Sequence, residues 1–145
     1  DKFKISFMTM GARSENMSSI RMLRPTEGVE GIRNFVLECV RRAGANPCPP
    51  VVIGVGIGGD FEKAALLSKK ALLRPVGSPN PKLELASLEM DLLKTVNRTG
   101  IGPEGLGGKV TAMAVHVESF PCHIASLPVA VNTNCHAARH KTIIL

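Results

Sequence analysis

The sequence is poor in aromatic residues: its 145 residues include five Phe but no Tyr and no Trp. Proteins that bind single-stranded nucleic acids usually stack the bases on aromatic side chains beside a basic groove. The net charge is +6, from 18 Lys and Arg against 12 Asp and Glu, and these residues are scattered along the chain. We therefore expect no nucleic-acid partner. A mild positive charge suits an anionic small substrate or an acidic partner surface equally well.

The sequence also lacks a long hydrophobic run. Its apolar stretches are much shorter than the roughly 20 residues that a membrane-spanning helix needs, and its first residues lack the apolar region of a secretory signal peptide. Hydrophobic residues make up 44% of the chain and charged residues 21%, as in ordinary globular proteins. We expect a single domain over residues 1–145, with no membrane partner and a cytoplasmic location.

Paired cysteine motifs are absent as well, because none of the four cysteines has the C-x-x-C spacing of a zinc ribbon. Without an export signal, reduced thiols are expected rather than disulfides. Cys39 falls on the apolar stripe of a predicted helix and is assigned to the core, whereas the role of Cys122 stays open. Cys48, between two prolines, and Cys135, beside His136, lie in predicted loops where a sulfur can reach a ligand.

Hydrophobic periodicity predicts a mixture of strands and helices. The predicted strands cover residues 4–10, 51–59, 109–117 and 127–131, and the predicted helices cover residues 29–44, 61–73 and 83–96, with loops at 11–16, 100–108 and 132–136. Thr26 is the predicted N-cap of the first helix, Gly44 is its predicted end, and Asp60 is the predicted N-cap of the second. The fold class is therefore α/β or mixed α+β, with helices packed on a small mixed sheet.

Three glycines, Gly54, Gly56 and Gly59, form a G-x-G-x-x-G motif after a predicted strand and before a predicted helix. This is the context of a dinucleotide-binding turn. That signature also needs an acidic residue at the end of a second strand about 20 residues later, and the nearest acid, Glu84, begins a helix instead. The alternative interpretation is that these glycines let the backbone pass close to another element.

Several histidines are candidate functional residues. His136 and His140 are four residues apart, which suits one face of a helix, and they could complete a zinc site with Cys48 and Cys135. His123 precedes an apolar strand, at a loop–strand junction, and is a candidate for catalysis.

Four longer stretches carry a more specific pattern. They read GARSEN at 11–16, CPPVVIGVGIGG at 48–59, NRTGIGPEGLGG at 97–108, and HIASLPVAVN at 123–132, which continues to CHAARH at 135–140. In order and spacing these stretches resemble the α subunit of the iron–sulfur dehydratases, which are the class I fumarases and L-tartrate dehydratases. The resemblance spans nearly the whole chain and matches the C-terminal half of that subunit, so it implies the fold of that half.

The resemblance implies a [4Fe–4S] cluster held by three cysteine thiolates. Two of them match Cys48 and Cys135, and the third lies outside this chain. His123 matches a family histidine near the substrate and is assigned a catalytic role by contact with or polarisation of the substrate. Gly11 and Ser14 match a segment that contacts a substrate carboxylate.

The same resemblance implies a function and partners. The function is part of a hydro-lyase that interconverts fumarate and L-malate by reversible hydration, inactive alone. The partners are the dicarboxylate substrate, a β subunit or C-terminal domain of the same enzyme, and the upstream half of the α subunit. The alternatives are an L-tartrate dehydratase subunit and a non-catalytic interaction domain.

Overall fold

The computed structural model describes residues 2–145. These residues form six strands, four α-helices and two short 3₁₀ turns, the latter at Pro25–Glu27 and Pro103–Gly105. The elements are β1 (Lys4–Thr9), α1 (Ala12–Glu15), β2 (Ser19–Leu23), α2 (Gly28–Ala43), β3 (Val51–Gly58), α3 (Phe61–Ala71), α4 (Leu83–Asn97), β4 (Ala112–Phe120), β5 (Leu127–Asn134) and β6 (Arg139–Ile144).

Four strands form the central sheet, in the order β2-β5-β3-β4. The β3–β4 pair is parallel, and β5 runs antiparallel to both β2 and β3. Because β3 alternates between the two faces of the sheet, Ile53 and Val55 enter the main core with α2 and α4, while Val52 packs on the opposite face, which α3 covers. The predicted architecture of helices on a small mixed sheet is confirmed.

Glycines of the G-x-G-x-x-G motif let α3 approach the sheet closely. Gly54 and Gly56 lie inside β3 rather than in the turn after it. A Cβ atom at Gly54 would overlap the carbonyl oxygen of Ser68, and one at Gly56 would overlap the carbonyl oxygen of Ala64. The motif therefore serves strand–helix packing, as the alternative interpretation held.

The outer edge of β4 is covered by polar side chains instead of another strand. Glu89 of α4 is buried and accepts a hydrogen bond from the Val117 N–H at 2.7 Å, while its other oxygen accepts the Asn80 N–H at 3.0 Å. The Arg74 guanidinium lies 2.7 Å from the same carboxylate and donates to the Val117 carbonyl. These bonds satisfy edge groups that would otherwise be unpaired, and they close the edge to other strands.

Several predicted boundaries are confirmed by the local geometry. The Asp60 carboxylate accepts the Lys63 N–H at 2.7 Å and caps α3, and Gly44 ends α2 with a φ of 52°. Cys39 is buried in the core, where burial raises the pKa of its thiol. The Thr26 N-cap is wrong, because Thr26 lies within a 3₁₀ turn and Glu27 is the residue that precedes α2.

Other predictions fail where pairing between distant segments determines the structure. β2 and β6 were not predicted, and both depend on partners more than 100 residues away in the sequence, β5 and β1. Residues 132–134 extend β5 instead of forming a loop, because Asn134 pairs with Val52 and Thr133 with Ile53. Residues 12–15 form one helical turn where a loop was predicted.

No helix among the described residues is long and apolar enough to cross a membrane.

Candidate functional site

The sheet topology brings Cys48 and Cys135 to the same end of the sheet. Cys48 precedes the start of β3, and Cys135 follows the end of β5. Because these strands are antiparallel neighbours, with Val52 opposite Asn134, the two loops meet. The His136 Nδ1 atom lies 3.1 Å from the carbonyl oxygen of Cys48, which joins them directly. We call this region the cysteine end of the sheet. All four cysteines of the chain are free thiols.

The backbone of Cys48 is in an unusual conformation. Its φ is 55°, in the left-handed region that non-glycine residues rarely adopt. Its N–H donates to the Ala45 carbonyl at 3.1 Å, and its sulfur has one long contact, 4.0 Å to the Asn46 carbonyl oxygen. The thiol is therefore half-buried, weakly engaged and held by a strained loop, a combination that is often found at functional sites.

The stretch NRTGIGPEGLGG at 97–108 supports the Cys48 loop. Glu104, whose φ of 53° is also left-handed, donates its N–H to the Pro49 carbonyl at 2.8 Å. The Asn97 side chain anchors the base of this stretch by accepting the N–H groups of Thr111 and Ala112, at 2.7 and 2.9 Å. The pattern of this stretch was recognisable in the sequence, but only the structure shows its contact with the Cys48 loop.

The segment with Gly11 and Ser14 also lies at the cysteine end. The Ser14 side chain is buried and donates to the Gly11 carbonyl at 2.8 Å, so its hydroxyl hydrogen is already used. Glu15 lies 3.5 Å from the amide of Asn132 in β5 and pairs with the Lys69 ammonium at 2.7 Å. Ser14 could therefore donate to a carboxylate only through its backbone N–H, because its hydroxyl has no second hydrogen.

His123 lies at the opposite end of the sheet, which we call the histidine end. It borders a surface cleft of about 480 Å³ that is lined by Gly59, Asp60, Lys63, Phe120, Pro121, Cys122 and His123. The His123 Nδ1 accepts the Ala125 N–H at 3.1 Å, so the hydrogen of the neutral ring sits on Nε2. The Nε2–H is thus the hydrogen-bond donor of the neutral His123 ring, and the cleft that His123 borders is also lined by the Lys63 ammonium and the Asp60 carboxylate.

The two ends are separated by the length of β5. His123 precedes this strand and Cys135 follows it, and eight strand residues span roughly 23 Å. A four-carbon dicarboxylate is far shorter than that. One small substrate cannot contact His123 and the two cysteines of the same chain, so the structure does not bring the sequence-predicted residues into one site.

The alternative of a zinc site formed by Cys48, Cys135, His136 and His140 is not supported by the structure. His140 lies in the strand β6, opposite Met8, so the helix that would have aligned it with His136 does not form. Among residues 2–145, no three His, Cys, Asp or Glu residues are grouped so that they could hold a metal ion. His116 is buried in β4, and burial lowers the pKa of its imidazole.

Comparisons with known proteins identify the family. The family described as fumarate hydratase (Fumerase) matches residues 1–144. A protein of Methanocaldococcus jannaschii named as a candidate L(+)-tartrate dehydratase subunit alpha is 53% identical over 129 residues, which are 89% of this chain and 45% of that protein. The L(+)-tartrate dehydratase subunit alpha of Escherichia coli is 46% identical over 125 residues, 86% of this chain and 41% of that subunit. The chain thus spans less than half the length of these relatives, and it belongs to the Fumerase family.

Proposed function

We propose that this chain is part of a hydro-lyase of the L-tartrate dehydratase type. The observation that carries the proposal is that the loops of two free, half-buried cysteines, Cys48 and Cys135, meet at one end of the sheet of a Fumerase-family chain. The resemblance favoured fumarate and L-malate as the reacting pair. The relatives are named for L(+)-tartrate instead, so their names support the alternative substrate better.

The cysteine end suits two of the three protein ligands of an iron–sulfur cluster. Thiolates are the ligands that such clusters take, and the Cys48 sulfur has a single long contact with protein. Cys48 and Cys135 would hold two corners, and the third cysteine would come from outside residues 2–145. When bound, an iron with an open coordination position supplies Lewis acidity toward a substrate hydroxyl group.

The remaining contacts are assigned from the hydrogen-bonding capacity of each group. Backbone N–H groups near Gly11 and Ser14 bind a substrate carboxylate at the cysteine end, because the Ser14 hydroxyl is already engaged. The Nε2–H of His123 donates to a carboxylate or hydroxyl of the substrate. Given the roughly 23 Å between the two ends, His123 serves a substrate held by a different polypeptide of the assembled enzyme.

The proposed partners follow from the names and the greater length of the relatives. They are the part of the α subunit that lies upstream of the matched region, a β subunit or an equivalent C-terminal domain, and a dicarboxylate substrate. The alpha-subunit names of the relatives support a multi-subunit assembly. Four free cysteines support a reducing compartment such as the cytoplasm.

The test is a substrate assay on the assembled enzyme under anaerobic conditions. Dehydration of L-tartrate produces an enol that becomes a 2-oxo dicarboxylate, whereas dehydration of L-malate produces an alkene, so separate signals distinguish the two reactions. We expect turnover of L-tartrate at a higher kcat/KM than L-malate, and a large loss of turnover in His123→Ala. A preference for L-malate would instead support fumarate and L-malate as the reacting pair. Absence of both reactions in an enzyme that holds its cluster would support the interaction-domain alternative.

A further inference from the structure

One imidazole joins three segments at the cysteine end. The His136 Nδ1 atom lies 3.1 Å from the Cys48 carbonyl oxygen and 3.9 Å from the carboxylate of Glu104. The Glu104 N–H in turn donates to the Pro49 carbonyl at 2.8 Å. His136 follows Cys135 directly in the sequence, so one side chain connects the loop of each cysteine with the loop that supports them.

The partners of His136 determine where its hydrogen lies. A carbonyl oxygen can only accept a hydrogen bond, so Nδ1 must carry the hydrogen for the contact with Cys48 to be favourable. The nearby negative charge of Glu104 favours a hydrogen at the same nitrogen. The neutral ring therefore has its hydrogen on Nδ1, the reverse of the arrangement at His123.

The hydrogen bond from His136 to the Cys48 carbonyl also helps to hold a strained backbone in place. Cys48 and Glu104 are the two non-glycine residues with positive φ in the described part of the chain, at 55° and 53°. An L-residue stays in this conformation only when its surroundings hold it there. Three hydrogen bonds provide that restraint, from Cys48 N–H to Ala45, from Glu104 N–H to Pro49, and from His136 to Cys48.

We infer that His136 is a positioning residue that fixes the carbonyl of Cys48 and so sets the direction of the Cys48 sulfur relative to Cys135. Glu104 assists by placing its carboxylate beside the donating nitrogen. The functional meaning of this arrangement rests on the proposed role of both cysteines as cluster ligands. The contacts themselves involve only residues of this chain, so they can be tested without a cluster.

Nuclear magnetic resonance of the chain tests the inference. At about pH 8, where imidazoles are generally neutral, two-bond proton–nitrogen spectra should place the His136 hydrogen on Nδ1. In His136→Ala, exchange of the Glu104 amide should become about fivefold faster, the effect of one lost hydrogen bond on a local opening. The variant His136→Gln, whose amide can donate to the same carbonyl, should recover most of the protection.

Two references separate this role from general destabilisation. The amide of Val55, in the central strand β3, should exchange at the wild-type rate in every variant. The matched control His140→Ala, in β6, should leave the Glu104 rate unchanged. The inference is overturned if the hydrogen lies on Nε2, if Glu104 and Val55 accelerate together, or if His136→Gln behaves like His136→Ala. If these results are obtained but the assembled enzyme binds no cluster, the proposed function is refuted and the positioning role of His136 still holds.

Discussion

Replacing Gly56 by alanine tests the packing role of the glycine motif. The φ of Gly56 is one that alanine adopts freely, so the effect is steric. The added Cβ would overlap the Ala64 carbonyl oxygen and lie 2.6 Å from the Ser68 nitrogen and 2.9 Å from the Leu67 Cβ. Two of these three atoms belong to helix backbone and cannot rotate away, so α3 must move off the sheet.

The expected cost follows from this overlap. Overpacking a core usually costs about 1–3 kcal/mol, and a clash with backbone places Gly56→Ala at the upper end, about 3 kcal/mol. That corresponds to a fall of roughly 6–12 °C in Tm for a domain of this size. Urea unfolding followed by circular dichroism measures the change. The control Gly11→Ala, where the nearest atom is 3.4 Å from the new Cβ, should change stability by less than about 0.5 kcal/mol. A loss below about 1 kcal/mol in Gly56→Ala would refute the packing explanation.

Three further predictions concern buried titratable groups. Glu89→Gln should lower the free energy of unfolding, measured in urea, by about 3 kcal/mol. The substitution removes the charge that faces Arg74, and a neutral amide cannot accept all the hydrogen bonds of the carboxylate. A loss below about 1 kcal/mol would contradict this. His116 has a lowered pKa in the folded state, so the unfolded chain binds more protons. Stability should therefore fall as the pH decreases below about 6.5, and His116→Gln should reduce that slope; equal slopes would refute the assignment. Burial raises the pKa of Cys39, so iodoacetamide should modify exposed Cys122 much faster than Cys39, as measured by mass spectrometry; comparable rates would show that the core opens.

Structural features set by neighbouring residues were predictable from the sequence, whereas features set by contacts between distant segments were not. The Asp60 cap and the Gly44 end of α2 depend on neighbouring residues, and both were predictable. By contrast, β2 and β6 form only through partners far away in the sequence, and their own composition gave little signal.

The candidate site shows the same contrast. The sequence identified Cys48, Cys135 and His123, but their placement depends on the antiparallel pairing of β3 with β5, which no local pattern encodes. That pairing brings the loops of the two cysteines to one end of the sheet and puts His123 at the far end. Glu104 was missed as a supporting residue because its contact with Pro49 joins loops 55 positions apart.

The most direct test of the account is the iron and acid-labile sulfide content of the anaerobically prepared assembled enzyme, measured for wild type, Cys135→Ser and Cys122→Ser. Cys122 serves as the matched control because its exposed thiol lies at the histidine end of the sheet. We predict about four iron and four sulfide per chain in wild type and in Cys122→Ser, and loss of both in Cys135→Ser. Full iron and sulfide content in Cys135→Ser would contradict the claim that the cysteine end holds the cluster.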